Sequence, residues 1–131
     1  MSGPAQVRLA GEILLTYATA RWHLRRLPLP EVVNRLRGVD ASHHDPPGAA
    51  QSVRLGRAVS RTLARLPTDT RCLLRSLVLL RILARRGGRP ALVIAARPGE
   101  RMQLDAHAWV EVEGHPVLPP ASSDYGRLVT L

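Results

Sequence analysis

Thr68-Asp69-Thr70-Arg71-Cys72-Leu73-Leu74-Arg75-Ser76-Leu77-Val78-Leu79-Leu80-Arg81-Ile82-Leu83-Ala84-Arg85-Arg86-Gly87-Gly88 is the stretch on which the fold turns. Three residues with capping oxygens stand ahead of Arg71 and Cys72, and an N-cap oxygen binds the free N–H groups of a first helical turn. Leu73, Leu74, Leu77–Leu80, Ile82 and Leu83 then make a segment that is apolar nearly all round, the mark of a buried helix. Arg85 and Arg86 suit the negative end of the helix dipole, and Gly87-Gly88 stop it. Cys72 therefore sits in the first turn of a central helix.

Upstream, the pattern stays helical. Val7, Ala10, Ile13, Leu14, Tyr17 and Leu24 recur at helical spacing, so residues 5–26 form a helix ended by Pro28 and Pro30. Tyr17 and Trp22 on it are expected in the core or half-buried. A short helix over 30–37 follows, from Pro30 to Gly38. Residues 38–51, with Gly, Asp, Ser and a Pro-Pro pair, are a loop. Val53, Leu55, Val59, Leu63 and Leu66 define a third helix over 52–66, with Ser52 as its cap and Pro67 after it.

Downstream, the period changes to that of strands. Residues 91–95 are a short apolar strand, and 99–103 a turn. Residues 104–112 form a second strand, Glu113-Gly114 a hairpin turn, and 115–118 a third strand. The tail, 121–131, has Tyr125, Leu128, Val129 and Leu131 to dock it. Helices followed by antiparallel strands define an α+β fold, with a helical N-terminal half and a central Cys-bearing helix packed on a small antiparallel sheet. The 131 residues suffice for a single domain, divided into a helical part, 1–66, suited to docking a partner, and a core, 67–131.

Composition narrows the function. The net charge is +9 and all 19 basic residues are Arg. They are scattered, in no run longer than two, without interleaved aromatics to stack bases, so no nucleic-acid partner is expected. A dispersed positive surface also suits an acidic peptide or protein. No segment reaches the roughly 20 apolar residues that span a bilayer, and the N-terminus reads as a helix and not a signal peptide. No membrane partner is expected, and the compartment expected is the cytoplasm. One cysteine excludes an intramolecular disulfide and a multi-cysteine zinc site.

A lone cysteine is commonly a buried, inert small hydrophobe. A helix N-terminus supplies a different environment. Its partial positive charge and free N–H groups favour a thiolate and stabilise the oxyanion formed when a carbonyl is attacked. Arg71 and Arg75 add positive charge, with Arg75 on the same face at i+3. Such a nucleophile needs a base. His23 lies on the first helix, His115 at the hairpin turn, and adjacent His43-His44, with Asp45, in the loop, where side-by-side histidines rarely converge on one ion. His107 stands in the strand Asp105-Ala106-His107-Ala108-Trp109-Val110-Glu111-Val112. Alternation puts Ala106, Ala108, Val110 and Val112 towards the core and His107, Trp109 and Glu111 on the other face. Trp109 would be a packing wall beside the site, and Glu111 a structural ion-pair partner of an arginine. Asp69 reads as a cap.

Arg71-Cys72-Leu73-Leu74-Arg75-Ser76-Leu77, then Arg89-Pro90, then Ala106-His107-Ala108-Trp109-Val110-Glu111-Val112 with Glu113-Gly114, resemble the leader peptidase of lasso-peptide biosynthesis, a transglutaminase-like, papain-related family. The resemblance covers residues 67–118, and the 35-residue step from Cys72 to His107 is its strongest part. It implies a papain/transglutaminase-like fold in which Cys72 is the nucleophile and His107 the base. The implied reaction is hydrolysis of one peptide bond, freeing the core peptide from the leader of a ribosomally made precursor. The implied partners are that precursor, a separate leader-recognition protein and a cyclase resembling asparagine synthetases; no cofactor and no metal are expected. Another thioester-forming acyltransferase on the same fold and a non-catalytic basic binding module are the alternatives.

The family carries an Asp on the strand after the His, about twelve residues on, and Pro119 stands there in this chain. Hairpin arithmetic points the same way. With Glu113-Gly114 as the turn, Val112 pairs with His115 and His107 with Pro120, so an orienting group belongs at 119–122, where no residue is acidic. Asp124, reaching back through a loop, is the expected third catalytic residue, and a Cys72–His107 dyad is the alternative. Asp105 lies about 7 Å along the strand and Glu111 about 13 Å, which disfavours both. A water or a backbone carbonyl can also orient an imidazole.

Overall fold

The structure, a computed structural model, describes residues 3–38, 47–65, 72–98, 104–117 and 126–131. Four helices are followed by strands: α1 (Gly3–Leu24), α2 (Leu29–Arg37), α3 (Ala49–Ala64) and α4 (Cys72–Arg85), then β1 (Pro90–Pro98), β2 (Leu104–Val112), β3 (His115–Pro116) and β4 (Gly126–Thr130). The sheet runs in the order β3-β2-β1-β4, with every pairing antiparallel. The expected α+β architecture is the one found, and α4 lies at its centre. It packs against α1, α2 and α3 on one side and against β1 and β2 on the other. Its unbroken buried run from Ser76 to Leu80, with Ile82 to Ala84, follows from contact on both sides. Among the described residues no helix is long and apolar enough to cross a membrane.

The end of α4 is built as its glycines require. Gly87 has φ 85°, the left-handed conformation that glycine adopts without steric cost. The N–H of Gly87 donates to Ala84 O at 3.1 Å and that of Gly88 to Leu83 O at 2.9 Å. These two bonds are a Schellman cap, which satisfies carbonyls the helix leaves open.

The other helices shift relative to the sequence reading. α1 starts at Gly3, and its buried stripe is Ile13, Thr16, Tyr17 and Ala20, with Leu9 and Leu24 half-buried. Trp22, expected in the core or half-buried, is exposed, as are Val7 and Leu14; they lie on the opposite face, which apolar spacing alone does not distinguish from the core face. α3 begins three residues before the expected Ser52. Gly48, in extended conformation, is its N-cap, and Ser52 is buried inside the helix with its N–H bonded to Gly48 O. Leu66 lies outside the described residues.

Glu12 ties α1 to α4. Arg86 grips it with both guanidinium nitrogens, at 3.2 and 3.0 Å, and Arg85 stands at 3.7 Å. Neighbouring Arg81 has its pKa lowered by burial first and by Arg85 second, with Glu12 opposing.

The β1–β2 register runs from Pro90↔Val112 to Pro98↔Leu104, so β1 extends past both ends of the expected 91–95. Glu113 (φ 54°) and Gly114 (φ 80°) form the two-residue turn into β3, both with the positive φ of a type I′ hairpin. Val112 pairs with His115, as the hairpin arithmetic requires. β3 stops at Pro116, which has no N–H to give, and Val117 N–H makes one further bond to Val110 O at 2.9 Å. The tail supplies a strand. β4 pairs with the far edge of β1, with a bulge at Ile94/Ala95. Leu131 then exchanges both backbone bonds with Leu92, and Arg37 Nη2 donates to Leu131 O at 2.7 Å.

Candidate active site

Cys72 is the first residue of α4 and is half-buried. It opens onto a cleft of about 230 Å³ shared by α3, α4 and β2. α4 lines the cleft with Cys72, Arg75, Ser76 and Leu79, one helical face at i, i+3, i+4 and i+7. β2 lines it with His107, Ala108, Trp109 and Val110. Cys72 and His107, 35 residues apart in the chain, therefore face one cavity.

Strand alternation assigns His107 to the face away from Ala108 and Val110, yet all three line the cleft. Val110 is buried and Ala108 packs on the core, as expected. Among the described residues β3 covers β2 only at Glu111 and Val112. At His107–Trp109 the described partner is β1 alone, and a cleft at a strand edge can touch consecutive residues of both faces.

Trp109 is half-buried and forms part of the wall. Its indole Nε1 donates to Glu111 Oε2 at 3.0 Å. Glu111 is buried and receives two bonds from Arg127, at 3.2 Å from Nη1 and 2.9 Å from Nη2. The expected ion pair with an arginine is thus present, with a residue of β4. A carboxylate held by Arg127 and Trp109 serves the strand and not His107.

Sequence reading missed the third wall. Gly56, Val59 and Ser60 of α3 face the cleft, and Gly56 is buried. An isolated glycine inside an amphipathic helix was the available signal, since it costs helix stability unless something must approach closely. Arg75 is exposed at the mouth and is the one guanidinium among the described lining residues. An anionic group or a developing oxyanion beside Cys72 would meet positive charge there.

The remaining candidates lie elsewhere. His23 is half-buried on α1, its ring edge-on to Trp22 at 5.4 Å. His115 is exposed at the hairpin turn. Arg71, Asp69, His43, His44, Asp45, Pro119, Pro120 and Asp124 fall outside the described residues, as does the side chain of Asp105. Among the described residues no group of three or more His, Cys, Asp and Glu gathers as a metal site would require.

A cysteine at the head of a buried helix, a histidine on the adjacent antiparallel strand and a cleft between them define the class of fold. A family model of the Transglutaminase-like superfamily matches residues 14–130. The chain belongs to that superfamily, whose fold is the one used by cysteine peptidases and acyltransferases. Searches of curated proteins and of solved structures gave no match.

Proposed function

We propose that this protein is a cysteine peptidase that removes the leader from a lasso-peptide precursor. The observation that carries the catalytic part is the shared cleft of Cys72 and His107. The substrate part rests on the resemblance of residues 67–118 to the leader peptidases.

In this mechanism Cys72 Sγ attacks the scissile carbonyl carbon while His107 accepts the thiol proton. The free N–H groups of the first turn of α4 stabilise the oxyanion. His107 then returns the proton to the leaving amine, and the C–N bond breaks to leave a thioester on Cys72. Water, deprotonated by His107, attacks the thioester and releases the acid and the thiol. Asp124 orients His107 in the triad form, and the dyad form dispenses with it. A separate leader-recognition protein holds the leader, and an asparagine-synthetase-like cyclase takes the core peptide onward. The cytoplasm is the proposed compartment.

The test is mass spectrometry of a precursor incubated with its recognition protein and this enzyme. Cys72→Ala lowers the rate of leader release by several orders of magnitude, by transition-state arithmetic. Undiminished release by that variant sinks the proposal.

The superfamily itself favours a second reading, transfer of the acyl group to an amine. The thioester is the same and only the acceptor differs. Addition of a primary amine separates the two, because a transferase yields the amide adduct in preference to the free acid. A binding module with a sealed, inert cysteine fits less well, since Cys72 lines the cleft.

A further inference from the structure

α1 is apolar on two faces, and the fold covers one of them. Ile13, Thr16, Tyr17 and Ala20 face the core. Val7, Gly11, Leu14, Leu15, Ala18 and Trp22 repeat at i, i+4, i+7, i+8, i+11 and i+15, one stripe along the outer surface. Val7 is 71% exposed, Leu15 70%, Trp22 53% and Leu14 41%. Four large apolar side chains aligned on one helix differ from the scattered exposed residues of an ordinary surface, and such patches mark interaction sites.

The charge around the stripe selects the occupant. Arg8 and Arg21 flank it, and Arg25 and Arg26 continue past its end, all four exposed. Arg26 stacks on the Trp22 ring at 4.5 Å. The one carboxylate of α1, Glu12, is turned away and held by Arg86. The rim is therefore positive. A second copy of this chain would bring the same positive rim and a net charge of +9. Shape narrows the choice further. Gly11 and Ala18 lie mid-stripe between the larger side chains, leaving hollows that receive the side chains of a second helix.

We infer that the outer face of α1 docks an amphipathic helix of another protein, whose apolar ridge is bordered by Asp and Glu. This surface lies apart from the cleft of α3, α4 and β2, and the inference holds whatever reaction Cys72 performs.

The probe is a labelled helical peptide with a Leu/Ala ridge bordered by Glu, compared with the same ridge bordered by Lys. Binding to the full chain is read by fluorescence anisotropy. The Glu peptide binds at least tenfold tighter than the Lys peptide, and the gap closes as salt rises. Val7→Ser with Leu15→Ser, checked for folding by circular dichroism, weakens the Glu peptide at least tenfold. Arg8→Ala with Arg21→Ala narrows the Glu/Lys difference. Absence of binding, equal binding of both peptides, or indifference to the serine substitutions overturns the inference. Self-association in sedimentation equilibrium that Leu15→Ser abolishes would assign the face to a second copy and overturn it. Binding to phosphatidylglycerol vesicles in place of the Glu peptide would assign it to a membrane, with the same consequence.

Discussion

Arg127 on β4 reaches diagonally across β1 to make a two-point ion pair with Glu111 on β2, at 3.2 and 2.9 Å. The register explains the path. Arg127 is level with Ala95 and Glu111 with Ala91, so the bridge passes over Val93, which is buried. It joins two strands that share no backbone hydrogen bonds and holds, through Glu111, the indole of a cleft residue.

Breaking that bridge from one side is expected to cost more than removing the charge on both. Arg127→Ala leaves a buried carboxylate with one neutral donor and destabilises by about 2 kcal/mol. Glu111→Gln in the Arg127→Ala background recovers part of the loss, because the amide oxygen still accepts from Trp109 Nε1. Urea denaturation of the two single variants and the double variant measures the coupling. Strict additivity would show that the pair contributes nothing of its own.

Cys72 is the only cysteine of the chain, and it lines an open cleft. Iodoacetamide therefore adds once per folded chain and abolishes turnover in the same proportion. His107→Ala lowers turnover by roughly 10²–10⁴-fold, the span of a lost general base, with the fold retained. Modification that occurs only in denaturant would place the sulfur out of reach and remove the basis for catalysis.

Ser60 is half-buried on α3 and lines the same cleft. Ser60→Trp fills much of a volume near 230 Å³. Because the added ring enters an open cleft and not the core, circular dichroism stays unchanged. The ratio kcat/KM for a peptide substrate falls at least about tenfold. Unaltered kinetics would mean that substrate approaches Cys72 from another side.

Two glycines should respond oppositely to alanine. Gly87, at φ 85°, closes the Schellman cap of α4, and Gly87→Ala costs about 1–2 kcal/mol. At Gly126 an added Cβ meets Ala96 O at 3.7 Å, an ordinary contact, and Gly126→Ala is neutral or stabilising. Thermal melts of both variants decide it. Equal effects would contradict the conformational argument.

The order of the four helices and of β1, β2 and β3, the central position of α4, the Cys72 helix start and the hairpin at Glu113-Gly114 were legible in the residues. Each rests on a local signal: an all-round apolar run, a change of period, a turn dipeptide with positive φ. The family resemblance paired His107 with Cys72 and the strand reading set it beside Trp109, and all three line one cleft.

The rest depended on which surfaces meet. α1 carries two apolar faces, and its periodicity could not tell the one against α4 from the one left to solvent, so Trp22 was misplaced. β4 was missed as a strand because its pairing positions on β1 lie thirty or more residues back in the chain. Gly56 and Ser60 joined the cleft only because α3 packs beside the start of α4. Sequence alone determined what each segment becomes, since that follows from neighbours a few residues away. Only the tertiary structure decided which face of each segment is covered, since burial is a property of contacts between segments distant along the chain.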